Sequence, residues 1–240
     1  ADGEIVDMKN MSSDEMPILS PRKQRQHITE SSLGIFALDK LVTVPLDTDR
    51  EASVRYGETL VTGNVSATQK IYTALGSKIV ILPDKVYFDT ESETPELLNI
   101  ESEVENVKAK IQDGKYAGED AKANSIYAEG VDWNDYFSVG DAVTISGASR
   151  HTENNITIVI REIESNYLRF YENSFTIGEG GDEEYLTISR TMPDMDYICE
   201  CDNRLWGCKG DTVYASKLGD LKNWNVFDGL ASDSWAVDVG

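Results

Sequence analysis

Three cysteines are the residues of this chain whose type and spacing most suggest chemistry, because Cys199, Cys201 and Cys208 lie within ten positions of one another. Closely spaced thiolates are zinc ligands when two pairs close a tetrahedron. On a strand, the spacing of Cys199 and Cys201 would place both sulfurs on one face. A fourth ligand is missing nearby. We therefore expect no metal site and predict buried strand cysteines that pack as small apolar side chains.

Histidine is scarce, since His27 and His151 are the only two in the chain. A cysteine nucleophile needs a base within hydrogen-bond reach, and these histidines fall in the polar first stretch and in a loop. Three cysteines are an odd number and too few for a disulfide scaffold, which predicts reduced thiols. We therefore predict no catalytic residue, no cofactor or cofactor-binding residue and no metal ligand, and a protein that is not an enzyme.

Two acidic segments are similar in part to calcium loops. Asp47, Asp49 and Glu51 are spaced like the opening of such a loop, but the glycine at its sixth position and the late bidentate glutamate are missing. Residues 178–184 combine glycines and acids without a repeating nonapeptide. We interpret both as ordinary acidic loops. A glycosidase would need a pair of carboxylates, and among 43 acidic residues no spacing singles one out.

The four tryptophans all lie close to aspartate or asparagine in turn-like sequence: Trp133, Trp206, Trp224 and Trp235. An indole can anchor the end of a strand when a turn carbonyl accepts its N–H, or it can form a platform on which a sugar stacks. We favour anchoring and keep the sugar platform as the alternative.

The chain is strongly acidic, with 43 acidic residues against 22 lysines and arginines and a formal net charge of -21. Tight binding of duplex nucleic acid needs a basic footprint, and the short sequence PRKQR at 21–25 is too small to supply one. The apolar runs are far below the roughly 20 residues of a membrane span, and the first residues lack the pattern of a signal peptide. We expect a soluble protein that binds neither membrane nor nucleic acid tightly.

Short β-rich runs separated by turn residues begin at Leu33. The turns follow one another at about the 8 to 12 residue spacing of an all-β meander. Segments 78–89 and 204–216 both run from strand through a charged turn to strand, and they match at Val86-Tyr87 and Val213-Tyr214. Because repetition of a four-stranded unit is typical of β-propellers, we predict an all-β fold of partial or complete propeller-like antiparallel blades.

A different region separates the two copies of this repeat. Its second part alternates through Ile156, Ile158 and Ile160, which predicts a small β-barrel or sandwich inserted into a blade loop. Its first part, 95–112, fits a helical stripe and also a strand, and we favour strand because its surroundings are β. The predicted organisation is an extended N-terminal arm, propeller-like blades, an inserted small β domain and a further propeller-like blade, at 1–32, 33–90, 91–190 and 191–240.

Two segments resemble a known family, and a third is similar to a small module of phage proteins. Residues 2–25, DGEIVDMKNMSSDEMPILSPRKQR, resemble the opening of β-propeller virion structural proteins of tailed bacteriophages and prophages. Residues 202–229, DNRLWGCKGDTVYASKLGDLKNWNVFDG, resemble their blade signature, with Leu221 in place of the usual proline. Residues 136–147, YFSVGDAVTISG, are similar to a β-module common in tail and head-completion proteins. The resemblance implies a virion protein made in the host cytoplasm, and it supplies no active-site residues.

The length departs from that family. A blade takes about 40 to 50 residues, so the chain without its insert has material for roughly three blades, whereas closure takes about 4 to 8. The sequence also stops within an alternating β pattern at 234–240. We expect a fragment of a longer protein or a propeller that other chains complete.

The expected function is therefore a structural component of a phage or prophage virion, at the tail or head–tail junction. We expect it to assemble through subunit interfaces with other virion proteins and with copies of itself, by shape and edge pairing. The alternative is a tail-associated carbohydrate-active protein, either a glycosidase or a glycan-binding module.

Overall fold

The computed structural model describes residues 11–15, 18–21, 32–45, 51–113, 123–171, 175–178, 182–225 and 233–240. In this part of the chain the regular structure is β-strand, with two short 3-10 helices at Trp133–Asp135 and Thr152–Asn154. The all-β prediction is confirmed. No helix within these residues is long and apolar enough to cross a membrane.

A two-stranded antiparallel sheet lies at the start of the described chain. It pairs β1 (Met11–Glu15) with β2 (Ile18–Pro21), and the pairing shifts register between Ser12 and Glu15. Both strands fall within the segment that we predict as an extended arm.

Three four-stranded antiparallel sheets follow within the described residues, and in each of them the strands pair in chain order. Sheet I contains β3 (Ser32–Ala37), β4 (Leu41–Pro45), β5 (Glu51–Tyr56) and β6 (Thr59–Ser66). Sheet II contains β7 (Ile71–Leu75), β8 (Lys78–Leu82), β9 (Val86–Asp89) and β10 (Leu98–Asn99). Sheet III contains β17 (Tyr197–Cys201), β18 (Arg204–Lys209), β19 (Thr212–Ala215) and β20 (Trp235–Asp238).

A closed six-stranded barrel lies between sheets II and III in the chain. Its strands pair in the order β11-β12-β15-β14-β13-β16 and are β11 (Ser102–Asp113), β12 (Ala123–Tyr127), β13 (Ala142–Ser146), β14 (Thr157–Glu164), β15 (Tyr167–Phe170) and β16 (Asp182–Arg190). Buried side chains from all six strands fill its core, together with Trp133 and Phe137. The prediction of a small β-barrel is confirmed.

The ambiguous segment 95–112 is strand where it enters the barrel. Residues Ser102–Asp113 form β11, which pairs with β16 over most of its length. Asn106 has a positive φ of 48° at a shift in this register. Because such an irregularity changes which face later residues occupy, the apolar residues before and after it imitate a helical stripe. The strand prediction is confirmed for this part of the segment.

The three sheets stack through two separate hydrophobic cores. One core lies between sheets I and II and contains Val42, Val54, Ile79, Ile81 and Phe88 among other residues. The other lies between sheets II and III and contains Val80, Leu82, Tyr87, Ile198 and Leu205 among others. Successive residues of β8 point to opposite sides, so this strand contributes to both cores. Sheet II is therefore covered on both faces, while sheets I and III each have an outer face turned away from the stack.

The sequence repeat corresponds to the second and third strands of sheets II and III. Segment 78–89 holds β8 and β9, and segment 204–216 holds β18 and β19. The matched tyrosines are not equivalent, however, because Tyr87 on sheet II and Tyr214 on sheet III enter the same core from opposite sides. The β18–β19 turn closes tightly at Lys209 and Thr212, whereas the last pair before the β8–β9 turn is Ile81 and Val86. The different turns set the copies one residue out of register.

Candidate functional site

The cysteines lie on the outer face of sheet III. Cys199 and Cys201 are exposed and Cys208 is half-buried, so the prediction of buried cysteines is wrong. The spacing argument holds, because Cys199 and Cys201 share one face of β17 while Ile198 points into the core. Sheet III buries its other face against sheet II, and alternation along the strands leaves the thiols on the open side.

The Cys201 thiol is weakly reactive. The negative charge of Asp202, then desolvation and the charge of Glu200, raise the pKa of Cys201. A thiol with a raised pKa is mostly protonated at neutral pH and is a poor nucleophile and metal ligand. Within the described part of the chain, no group of three His, Cys, Asp or Glu side chains is placed to hold a metal ion.

The outer face of sheet III is apolar and carries aromatic side chains. The rings of Trp206 and Trp235 meet edge to face, with centroids 5.0 Å apart, and cross-strand pairing places Val213 and Val237 on the same face. Tyr197, at the start of β17, is 72% exposed. The positions of the four strands that point to this side carry no carboxylate: they are Tyr197, Cys199, Cys201, Arg204, Trp206, Cys208, Val213, Ala215, Trp235 and Val237. This face is far less polar than the composition of the chain predicts.

The outer face of sheet I also exposes apolar side chains. Ile35 and Leu60 are 50% and 53% exposed on it. They share this side with Leu41, Thr43 and the exposed Arg55, since their cross-strand neighbours place them opposite the core residues. These five positions include one cation and no carboxylate. Both ends of the stack therefore present sheet faces that are free of negative charge at these positions.

The outward-facing side of the barrel differs. Exposed charged residues on its strands include Glu103 and Lys108 on β11, Glu164 on β14 and Glu183 on β16. Lys108 forms an ion pair with Glu183 at 3.0 Å. Alternating charged and apolar positions are typical of a sheet with one face in water. The barrel therefore has a charged outer surface, whereas the outer faces of sheets I and III carry no carboxylate at the positions named above.

The tryptophans follow the anchoring prediction in part. Trp206 donates its indole N–H to the carbonyl of Cys201 at 3.2 Å, and Trp224 donates to the carbonyl of Leu221 at 2.8 Å, which confirms anchoring for these two. Trp133 is different, because it lies fully buried in the barrel core against Phe137, where its Nε1 has no hydrogen-bond partner among the described residues. Its prediction as an anchor is wrong, since ring packing in the core holds this indole.

Lys85 fastens both ends of the barrel to sheet II. Its Nζ lies 2.9 Å from Oε1 of Glu101, which precedes β11, and 2.9 Å from Oδ1 of Asp194, which follows β16. It also donates to the carbonyl of Met192 at 2.8 Å. Burial alone would lower the pKa of Lys85, but hydrogen bonds and charge from Glu101 and Asp194 outweigh burial and raise it. The two chain segments that connect the barrel to the sheets, one before β11 and one after β16, therefore both contact the ammonium group of Lys85.

A buried ion pair lies next to this junction, at the end of the barrel. Arg190, at the end of β16, pairs with Asp141 beside β13, and both side chains are almost fully buried. Nε of Arg190 also donates to the carbonyl of Ile100 at 3.0 Å. The backbone N–H of Ser138 donates to the same aspartate at 2.8 Å. Arg190 thus ties the exit of the barrel to its entry.

Two asparagines attach the barrel to the loop after β19. The Ala142 N–H donates to Oδ1 of Asn223 at 2.7 Å, and Nδ2 of Asn225 donates to the Ala142 carbonyl at 2.8 Å. Asn223 is buried. The barrel is therefore braced against sheets II and III at several points and is not held by its two connections alone.

A cleft of about 550 Å³ opens where the barrel meets the sheets. Tyr87 and Tyr136 line it with aromatic surface, and Glu101, Glu103 and Asp135 add carboxylates. The Nζ of Lys222, another lining residue, lies 5.7 Å from the centre of the Tyr87 ring. Mixed aromatic and hydrogen-bonding walls of this kind suit a small polar ligand.

The remaining candidates from the sequence are not brought together. His151 lies beside Glu153 in the loop between β13 and β14 of the barrel, whereas the cysteines lie on sheet III. His27, Asp47 and Asp49 fall outside the described residues. Glu51 begins β5 and is part of a strand.

The exposed outer faces of sheets I and III could not be predicted from the sequence. Alternation along a strand shows that the strand has two faces, but it does not show which face a neighbouring sheet covers. The contacts that brace the barrel also have no local sequence signal, since Lys85 and Met192 are 107 positions apart.

Comparison with family models, with curated proteins and with solved structures gives no significant match. The candidate site therefore rests on its own geometry, and two surfaces stand out: the open sheet faces and the cleft.

Proposed function

We propose that this chain is a structural component of a phage or prophage virion, at the tail or head–tail junction, and that it acts through subunit interfaces without catalysis. One observation carries the proposal: among the described residues sheet II is covered on both faces, whereas the outer faces of sheets I and III expose apolar side chains such as Leu60 and Tyr197 and carry no carboxylate at the positions named above. Apolar sheet faces of this kind are typical of surfaces that another protein covers. The segments that resemble phage virion proteins supply the setting.

The proposal includes a propeller arrangement of sheets I, II and III. In a propeller, successive blades stack face to face with their corresponding strands side by side. Two contacts support this arrangement between sheets I and II. Thr62 of β6 forms a parallel bridge with Glu96, just before β10, and Lys70 donates from its backbone to the carbonyl of Leu33. The first contact joins the fourth strands and the second joins the first strands.

The bracing of the barrel suits a part that transmits load. Lys85 and Asn223 fix the barrel against sheet II and the loop after β19, so a force applied to the barrel reaches the stack directly. The net charge of -21 suits a particle through which DNA passes, because an acidic surface repels phosphates.

Analysis of purified particles tests this proposal. Particles are purified on density gradients from cultures that carry the gene and from cultures in which it is disrupted, and their proteins are identified by mass spectrometry. We expect the chain in the intact particles and incomplete, non-infectious particles after disruption, with recovery on complementation by the wild-type gene. Complete infectious particles that lack the chain would contradict the proposal.

Glycan binding or cleavage is the second candidate, and the cleft between barrel and sheets is the observation that favours it. Trp224 is a poor test of sugar binding, because it lies 4% exposed in the core between sheets II and III. Tyr136 is 40% exposed in the cleft, and an aromatic ring in such a place can stack on a sugar. Glu103 and Asp135 are the candidate carboxylates for cleavage, because the third carboxylate of the cleft, Glu101, is bound by Lys85.

A glycan array separates this candidate from the first. Specific binding that Tyr136→Ala removes would support a glycan site, and loss of sugar release in Glu103→Gln or Asp135→Asn would support cleavage. Tyr171→Ala is the matched control, because Tyr171 is another exposed barrel tyrosine that does not line the cleft. Absence of binding on the array, or equal loss in both tyrosine variants, would remove the glycan candidate.

A further inference from the structure

We propose that two copies of this chain stack head to tail, with the outer face of sheet I of each copy on the outer face of sheet III of its partner. The two identical contacts close a ring of six sheets. This inference rests on the proposed function, because it takes the sheets as propeller blades, and it names the partner as a second copy.

Charge is the first argument. Each copy carries a formal net charge of -21, so two copies repel each other through most of their surfaces. Association therefore requires contact faces without negative charge. The outward positions on the strands of sheet III carry no carboxylate, and neither do Ile35, Leu41, Thr43, Arg55 and Leu60 of sheet I. The exposed strand positions of the barrel, such as Glu103 and Glu164, carry the charge expected of a surface that stays in water.

Continuity of the stack is the second argument. Sheet II buries Ile79 and Ile81 towards sheet I, and Val80 and Leu82 towards sheet III. A sheet of this kind is thus built to be covered on both sides. Sheet III presents its Trp206–Trp235 pair on the side turned away from sheet II, where a further sheet continues the series.

The two outer faces also complement each other chemically. Arg55 is the single cation among the outward positions named on sheet I, and it is exposed. Guanidinium groups stack on indole rings, and the outer face of sheet III offers two of them, Trp206 and Trp235. Sheet III has an outward arginine of its own, Arg204, but it is 6% exposed and donates to the carbonyl of Asp233. The exposed Arg55 of sheet I is therefore the arginine placed to stack on the tryptophan pair of a partner.

Closure is the third argument. The described part of one chain contributes three four-stranded sheets, and closed propellers contain about 4 to 8. Two copies supply six sheets within that range. A head-to-tail contact is heterologous, and such contacts end in a closed ring when the rotation allows it and in an open filament when it does not. Six sheets in a ring leave no apolar face open.

Light scattering after size exclusion tests the stoichiometry. We expect the wild-type protein to have twice the chain mass of 26.7 kDa at micromolar and higher concentrations. Leu60→Glu on sheet I and Val237→Glu on sheet III each place a carboxylate in both contacts of the ring, so each variant should be a monomer. These side chains are 53% and 44% exposed, and circular dichroism should therefore stay native. Val139→Glu is the control, because Val139 is 59% exposed beside the barrel, and it should remain a dimer.

Mixing the two variants tests the geometry. In a pair of Leu60→Glu with Val237→Glu, one contact carries both carboxylates and the other is wild type, so the mixture should recover dimers that neither variant forms alone.

Thiol labelling gives a second measurement of the same contact. Labelling of Cys199 and Cys201 by a maleimide should be roughly tenfold slower, or more, in the wild-type dimer than in a monomeric variant.

Several results would overturn the dimer. These are a wild-type monomer at hundreds of micromolar with rapidly labelled thiols, a filament, and a dimer that Leu60→Glu leaves intact, which would indicate sheet III pairing with itself. The outcome is independent of the particle experiment. A dimer that never enters particles would overturn the virion role alone, and a monomer found in particles would overturn the ring alone.

Discussion

Ile81 and Leu82 are neighbours in β8, yet their side chains lie in two different hydrophobic cores, Ile81 between sheets I and II and Leu82 between sheets II and III. Both are almost fully buried, at 0% and 2% exposure. Sheet II is therefore a wall shared by two cores, and β8 joins them through its backbone. This relationship makes the three sheets one cooperative unit.

Truncation of either neighbour tests that unit. We expect Ile81→Ala and Leu82→Ala each to lower the free energy of unfolding by about 2 to 5 kcal/mol, because each leaves a cavity in a packed core. Urea unfolding should remain one transition in both variants. Val139→Ala is the control, since an exposed side chain should change stability by less than about 0.5 kcal/mol. A Leu82→Ala variant that unfolds in two steps would show that the cores are independent.

The strand content of the chain could be predicted because alternation and turn residues are local signals. Ile158 and Ile160 alternate in the sequence and both lie buried in the barrel core, as a strand with one covered face requires. The segment around Asn106 was ambiguous for a physical reason, since the shifted register there mixes two periodicities. This segment is a strand because it pairs with β16, which is distant in sequence.

The candidate site was less predictable, because it depends on which faces meet. The alternation of Cys199 and Ile198 predicts two faces of β17 and does not say which face sheet II covers. The repeat at Val86-Tyr87 and Val213-Tyr214 identified corresponding strands but missed a one-residue shift, which depends on turn geometry. Contacts such as that of Lys85 with Asp194 join distant segments, and the local sequence around each residue does not predict them.

Asp84 should make stability depend on pH. Its carboxylate accepts hydrogen bonds from the Ser66 backbone N–H at 2.6 Å and from Lys70, whose side chain is fully buried. Burial alone would raise the pKa of Asp84, but these hydrogen bonds and the charge of Lys70 outweigh it and lower the pKa below its ordinary value of 3.8. A lowered folded pKa gives stability that is fully present above the unfolded pKa and lost as pH falls through the folded pKa.

The corresponding measurement compares wild type with Asp84→Asn by urea unfolding at several pH values. At neutral pH the variant leaves Lys70 buried without its counter-ion, which should cost about 3 kcal/mol or more. The difference should narrow as pH falls below 3.8 and through the lower folded pKa, because the carboxylate is protonated first in the unfolded chain and only then in the folded chain. Asp39→Asn, at an exposed turn position, is the control. A difference that stays constant with pH would refute the role of this ion pair.

The ion pair between Arg190 and Asp141 should couple strongly. Arg190→Met leaves a buried carboxylate without its counter-ion and removes the hydrogen bond to Ile100, so we expect a loss of about 3 to 5 kcal/mol. Arg190→Met combined with Asp141→Leu removes both charges and should recover part of that loss. Urea unfolding of the four proteins in this double-mutant cycle gives the coupling energy. Strictly additive losses would mean that the pair does not act as a unit.

Gly207 should tolerate no side chain. It lies on the face of sheet III that packs towards sheet II, where an added Cβ would overlap Sδ of Met195 and lie 3.1 Å from the carbonyl oxygen of Tyr197. Its φ is not positive, so the effect of Gly207→Ala comes from packing and not from backbone strain. We expect a loss of about 1 to 3 kcal/mol from overpacking. Met195→Ala should relieve that overlap, so the double variant should lose less than the sum of the single losses. Thermal unfolding of the three variants measures this, and a Gly207→Ala protein as stable as wild type would show that Met195 moves aside freely.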